Sequence, residues 1–239
     1  YTNEFTKLFG EPCPPEDREK ILPYYADIAA SIQEVTEEMI LKIANHAYEQ
    51  TKIENLCLAG GVALNSKANF RIINETPFKD IFVQPAAGDD GGSLGAALFV
   101  YNSLLGNKRN TVFKNPYLGK EYSEEEIKKF LDENKINYQY MHDENELLDT
   151  TVKHLVGQRV VGWFQGRFEW GPRALGNRSI LADPRNPEMK DIVNRKIKFR
   201  EPFRPFAPSV LAERTEEFFD IHDVKNHYPT RFMLYVVPV

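Results

Sequence analysis

A strand, a glycine-rich turn and a helix follow one another twice in the first half of this chain, and few folds accommodate that order. The apolar run Asn55-Leu56-Cys57-Leu58-Ala59 ends in Gly60-Gly61 and leads into a helical pattern over roughly Leu64 to Ile73. Asp80-Ile81-Phe82-Val83-Gln84 shows the strand signature again and stops at Pro85. The stretch Gly88-Asp89-Asp90-Gly91-Gly92 then opens an Ala-rich helix that ends near Leu105. Ahead of both, Ile28, Ile32, Val35, Met39, Ile43 and Ala47 recur at steps of three and four. That spacing predicts an amphipathic helix from Asp27, its expected N-cap, to Gln50. Short apolar strands alternating with helices define an α/β layered arrangement.

The polar stretch Gly106-Asn107-Lys108-Arg109-Asn110 breaks this pattern, so a boundary is expected there, dividing the chain into units 1–108 and 109–239. In the second unit Ser123 is expected to begin a helix whose first turn holds Glu124, Glu125 and Glu126, the charge sign that a helix N-terminus favours. A strand over Ile136 to Met141, a helix over Glu144 to Val156 and a strand over Arg159 to Phe164 should follow. A long irregular segment comes next. A helix near Pro187 to Lys198, and strands near Phe206 to Leu211 and Phe232 to Val237, complete the expected order. The chain starts at Tyr1 without an initiator Met and stops at Val239 inside an apparent strand, so a piece of a longer protein is expected.

With 42% hydrophobic and 27% charged residues, the chain can build a sizeable core, and wholesale disorder is excluded. No apolar run reaches the length of a membrane-spanning helix, and the N-terminus shows no basic-then-apolar leader, so a cytoplasmic protein is expected. Cys13 and Cys57 are too few for a disulfide framework or a four-thiolate zinc site and read as reduced thiols. The net charge of -5 argues against a general nucleic-acid binder. That charge is unevenly spread. Between Gln165 and Arg204 ten Lys and Arg face five acidic residues, which suggests a small polyanionic ligand.

Three segments could carry chemistry. Gly60-Gly61 through Asn65 joins a strand to a helix, where glycines let a ligand approach the backbone and the helix N-terminus favours an anion. A purely structural glycine turn reads equally well there. Gly88 through Gly95 sets Asp89 and Asp90 just past a strand end, where they could bind a metal, orient a ribose, or simply cap the next helix. Two such turns at equivalent strand ends favour a nucleotide site. The third segment runs from Gln165 to Arg185 and interleaves Arg167, Arg173, Arg178 and Arg185 with glycines, prolines and aromatics. Lys198, Arg200 and Arg204 follow on a proline-spaced stretch. Arg presents planar forked donors suited to phosphate oxygens, and this setting argues for a shaped pocket over a solvated basic face. The five histidines show no metal-ligand spacing.

Leu58 through Asn65, Gln84 through Asp89, Gln165 through Arg185 and Lys198 through Pro208 together resemble the carbamoyltransferase family. That family includes nodulation-factor carbamoyltransferases and enzymes that carbamoylate aminoglycoside and cephalosporin antibiotics. The resemblance covers nearly the whole chain and implies its C-terminal part. It also implies a fold in two pieces. The first is the C-terminal portion of an actin/sugar-kinase/Hsp70-like domain, similar to the threonylcarbamoyl-transfer protein of tRNA modification. The second is an α+β domain similar to the threonylcarbamoyl-adenylate synthase, with a double-stranded-RNA-binding-like fold, here cut short at its C-terminus.

The implied activity is an ATP-dependent O-carbamoyl transfer. The second domain would form carbamoyl-adenylate from carbamoyl phosphate and ATP, and the first would pass the carbamoyl group to the hydroxyl of a small-molecule acceptor. Arg173 and Lys198 are the implied central pair, supported by Arg167, Arg178 and Arg204. Gly60, Gly61 and Asn65 would lie near the adenosine, and Asp89 would hold a divalent metal, iron or magnesium. The family's other metal ligands are a histidine pair that this chain lacks. Neither nucleic acid nor membrane is an expected partner, and a homo-oligomer is compatible with the pattern. Two other readings compete. One is a hydrogenase-maturation-type transfer to a protein thiol, and the other is a non-enzymatic actin-like nucleotide-binding module.

Overall fold

The computed structural model describes residues 2–14, 17, 22–110 and 112–239. A short helix α1 (Asn3–Phe9) is capped by the Thr2 hydroxyl, which accepts from the Phe5 amide. The long helix α2 spans Pro23–Thr51. It begins four residues before Asp27, because Pro23 occupies the first turn, where a missing N–H costs nothing. Asp27 therefore lies inside the helix and does not cap it.

The buried face of α2 also differs from the expected one. Ile32, Val35, Met39 and Ile43 are each more than half exposed. Glu37 and Ala44 are buried instead, with Ile40, Leu41, Ala47 and Tyr48 packed partly against the core. The reason is charge. Helix α3 (Ser66–Glu75) turns Lys67 and Arg71 toward α2, and Glu37 meets them at 3.0 and 2.8 Å. Gln33 adds a donor to Glu37 at 2.6 Å. Burial alone would push this carboxyl up, but hydrogen bonds from Arg71, Gln33 and Lys67 outweigh it and hold the pKa at about 2.

Strands β1 (Asn55–Leu58) and β2 (Asp80–Val83) pair in parallel, Leu56 opposite Ile81 and Cys57 opposite Phe82, with α3 as the crossover. Parallel pairing requires such a crossover, and this pair realises the expected α/β order. Helix α4 (Gly92–Phe99) follows a single 3-10 turn at Asp89–Gly91 and relaxes into a π-helical turn at Val100–Leu104. The core gathers Ala44, Ala63, Ile72, Phe78, Ile81, Val83 and Ala87 with two residues from the far end of the chain, Phe232 and Leu234. Asn69 secures that return by donating to the carbonyls of Ala63 and Leu234 at 2.8 and 3.2 Å. Tyr228 stacks on Phe82 with ring centres 4.9 Å apart and donates its hydroxyl to the Phe113 carbonyl.

In the second half, helix α5 (Glu124–Glu133) carries a complete capping box between Ser123 and Glu126, as its acidic first turn predicts. Helix α6 covers Glu144–Val156. Strand β3 (Val161–Phe164) pairs antiparallel with β4 (Arg178–Leu181), a strand hidden inside the segment expected to be irregular. Helix α7 (Met189–Ile192) continues as a π-helical turn, Val193–Lys198.

Three expected strands do not form. Over 136–141 no ladder forms, and the segment is tied to α5 by its side chains, the Tyr138 and Tyr140 hydroxyls donating to Asp132 and Glu124. Pro208 deprives 206–211 of a ladder donor in its interior. Near the end of the chain a 3-10 turn at Tyr228–Phe232 precedes extended backbone whose polar groups pair with Asn69 and Ser66 instead of a strand.

Candidate functional site

The two glycine turns and the Arg-rich loop meet along one continuous seam. Gly60 has φ +98°, which favours glycine, and its N–H donates to the Ala87 carbonyl at 2.8 Å. On the other side of the same turn, Gly171 lies against Pro85 and Ala86, and a Cβ there would sit 2.6 Å from the Pro85 carbonyl oxygen. Gly91 is equally pressed against the Ala86 carbonyl and the Gln84 side chain. Gln84 folds over Ala86 and bonds both its N–H and its C=O, which stiffens the turn from inside. Gly60, the 84–89 turn and the Gly171 loop are thus in serial contact. Gly61 is different: its backbone is ordinary and a Cβ would meet nothing. Among the described residues no neighbour calls for glycine at 61.

The Arg-rich loop hangs between β3 and β4 and is framed from within. Asn177, nearly buried, donates to the Arg167 carbonyl at 2.8 Å. The Arg178 guanidinium lies 3.5 and 4.0 Å from the ring centres of Phe164 and Phe168 and donates to the carbonyls of Gln165, Gly166 and Asn177. Such stacking and carbonyl pairing let Arg178 clamp the loop from within. Glu169 accepts from the amides of Leu175, Asn177 and Arg178 at 2.8, 2.8 and 3.1 Å, all on one oxygen. Burial pushes the Glu169 carboxyl up, yet these amides outweigh it and hold it below the usual carboxylate value. Arg185 is tied to Asp183, whose carboxyl it holds at about 2.

What remains free is Arg173. It is exposed at the loop apex, and among the described residues it alone of the loop's four arginines has no polar partner. Arg167 is exposed and loosely paired with Glu121 at 3.7 Å. Lys198 is exposed at the end of the π-helical turn, with no partner among the described residues. Arg204 pairs with Glu201 at 2.7 Å. The segment joining them is organised by Asn194, fully buried, whose side chain binds the carbonyls of Pro202 and Arg204 and accepts from Arg200.

Asn65 is committed elsewhere. Its Oδ1 caps α3 at the Ala68 amide, and it exchanges a reciprocal amide pair with Gln33. It therefore shapes the turn that holds Gly60 and Gly61. Asp89 is exposed at the start of its 3-10 turn. Among the described residues no three His, Cys, Asp or Glu side chains gather where they could hold a metal ion, so the groups present do not form a metal centre by themselves. Glu169, Asn177, Asn194 and Gln33 escape the charge-counting that points to the arginines. A lone acid inside a basic, glycine-rich loop is the signal that could have marked Glu169.

Residues 2–98 match the family described as carbamoyltransferase N-terminus, and residues 152–239 match the carbamoyltransferase C-terminus. The chain belongs to the carbamoyltransferase family. It is 42% identical over 231 residues to the nodulation protein NolNO of Sinorhizobium fredii, covering 94% of this chain and 33% of that protein. It is 41% identical to the nodulation protein NolO of Bradyrhizobium diazoefficiens, covering 93% of this chain and 41% of the other. An uncharacterized protein of Synechocystis is 48% identical over 99% of this chain and 38% of its own length. The chain thus spans 33 to 41% of the length of these three relatives. Among the described residues no helix is long and apolar enough to cross a membrane.

Proposed function

We propose that the full-length protein is an ATP-dependent O-carbamoyltransferase. Its second unit, 109–239, converts carbamoyl phosphate, ATP and one water into carbamoyl-adenylate. Water releases phosphate and leaves carbamate, whose oxygen attacks the α-phosphorus of ATP and expels pyrophosphate. Its first unit, within 1–108, delivers the carbamoyl group to an acceptor hydroxyl. We read the first unit as part of an actin-like domain and the second as a threonylcarbamoyl-adenylate-synthase-like domain, acting in the cytoplasm where both phosphorylated substrates are available.

The observation that carries this reading is Arg173, a guanidinium with no polar partner among the described residues, on a loop whose other arginines are paired or clamped. Forming a mixed anhydride with AMP brings several phosphoryl groups together, and catalysis of that step is mostly electrostatic stabilisation and positioning. Arg173 and Lys198 would supply the positive charge, with Arg167 and Arg204 near enough in sequence to assist. Gly60 and Gly61 would admit the adenosine to the seam. Asp89, on the first-unit side, would serve the transfer step, contributing one oxygen to a divalent metal whose other ligands this segment does not supply.

Pyrophosphate release from ATP by the full-length protein, measured with and without carbamoyl phosphate, tests the proposal. Release that depends on carbamoyl phosphate supports it. ATP binding without release would instead favour a nucleotide-binding module, and carbamoylation of a cysteine peptide a maturation-type transfer.

A further inference from the structure

We infer that Glu169 is a positioning residue of the adenylate-forming site: its carboxylate fills the anion nest made by the amides of Leu175, Asn177 and Arg178 and thereby fixes the loop that presents Arg173. The inference rests on the role of Arg173 proposed above. Convergent backbone amides around a glycine are how proteins cradle phosphate, and here Gly176, at φ +113°, sits within the converging set. The cradle is already occupied. Three N–H groups within 2.8 to 3.1 Å of one Glu169 oxygen leave no place there for a substrate phosphate.

The position of this bond in the loop is what gives it leverage. Glu169 and Leu175 bracket Trp170 through Ala174, of which Pro172, Arg173 and Ala174 are exposed. Gly171 is seated on Pro85, and the Leu175 carbonyl accepts from the Tyr117 hydroxyl at 2.8 Å. Both ends of the exposed tripeptide are therefore held. The Glu169 bonds are charge-assisted, roughly twice as strong as neutral ones, and they fasten the returning end. Without them, three amides lose their acceptor at once and the returning end of the Arg173 loop is held chiefly by the single Tyr117 bond to the Leu175 carbonyl. A misplacement of about 1 Å at a charge-stabilising group can cost on the order of a hundredfold in rate.

Four variants of the full-length protein test the assignment: Glu169→Ala, Glu169→Gln, Arg173→Ala and the Glu169→Ala/Arg173→Ala double. In carbamoyl-phosphate-dependent pyrophosphate release, Glu169→Ala is expected to lower kcat by about a hundredfold, with a much smaller change in KM for ATP. Glu169→Gln keeps an acceptor oxygen and should lose clearly less. Added formate, which can enter the vacated nest, should restore part of the Glu169→Ala rate and leave wild type unchanged. In the Arg173→Ala background the second substitution should cost nothing further, because the residue acts through Arg173. Additive losses in the double variant, or a wild-type kcat in Glu169→Ala, would overturn the inference.

Amide hydrogen exchange separates this inference from the adenylation reading. If wild type releases no pyrophosphate, that reading falls, but the nest is still decided at Leu175, Asn177 and Arg178. Faster exchange there in Glu169→Ala, slowed again by formate, upholds the nest; unchanged protection refutes it.

Discussion

The backbone of Gly171 lies so close to Pro85 that a Cβ on the glycine would stand 2.6 Å from the proline carbonyl oxygen. This contact joins the Arg-rich loop to the turn that leads into Asp89, and it tolerates no side chain. Gly171 also has φ +117°, a conformation that L-residues rarely adopt. Gly171→Ala should therefore part the seam or strain it, at a cost of about 1–3 kcal/mol. Calorimetry should show a lower Tm, and nucleotide titration a weaker ATP affinity.

Arg173, Lys198 and Arg178 are all cations of the same stretch, yet their substitution should separate cleanly. Arg173→Ala and Lys198→Ala remove exposed, partnerless charges and should leave Tm unchanged while pyrophosphate release falls by at least about a hundredfold. Arg178→Ala removes a stacked guanidinium and its three carbonyl bonds, so it should destabilise the fold by about 1–3 kcal/mol. A thermal melt beside the release assay distinguishes the two patterns.

If the proposed division of labour holds, Asp89→Ala should slow transfer to the acceptor while leaving pyrophosphate release intact. Measuring both half-reactions on one preparation checks this. Loss of both would show that the units do not divide the labour.

Glu37 predicts an acid limb of stability. Its folded pKa is about 2, against an ordinary 4.5, so the unfolded chain takes up a proton first as pH falls. The stabilisation from Glu37 is therefore complete above about pH 4.5 and is lost as pH drops toward 2. Glu37→Gln should flatten that part of the stability curve, read by urea unfolding at successive pH values. At neutral pH, Glu37→Ala should cost about 1–3 kcal/mol for the lost charge-assisted hydrogen bonds, because Arg71 keeps Glu75 and Lys67 is open to water.

Leu234 is fully buried in a core whose other buried residues, Phe232 apart, come from the first half. Leu234→Ala should lower stability by about 2–5 kcal/mol, a loss visible in chemical denaturation.

Much of the layout was legible in the sequence because it rests on local signals. The strand–glycine–helix order, the capping box at Ser123 and the helix over 144–156 each depend on residues a few positions apart. The failures involve distant partners. Nothing near Glu37 in the chain reveals that Lys67 and Arg71 will meet it, so hydrophobic spacing predicted the wrong face of α2. Ile136 to Met141 and Phe232 to Val237 have strand-like composition, but a strand needs a neighbour and none forms beside them. Site residues divide the same way. Charge and glycine content marked Arg173, Lys198, Gly60 and Gly61, whereas the uncharged Asn177, Asn194 and Gln33, which hold the loops that carry them, give no compositional signal.

The bond from Asn69 to the Leu234 carbonyl links residues 165 positions apart. During synthesis, at about 5–20 residues per second, roughly 10–30 seconds pass between the appearance of the two partners. Through that interval Ile72, Ile81 and Val83 have no Phe232 or Leu234 to close over them. The first half must therefore wait on the ribosome with an unsealed apolar cleft, a natural station for a chaperone, and its folding cannot finish before the end of this segment has been made.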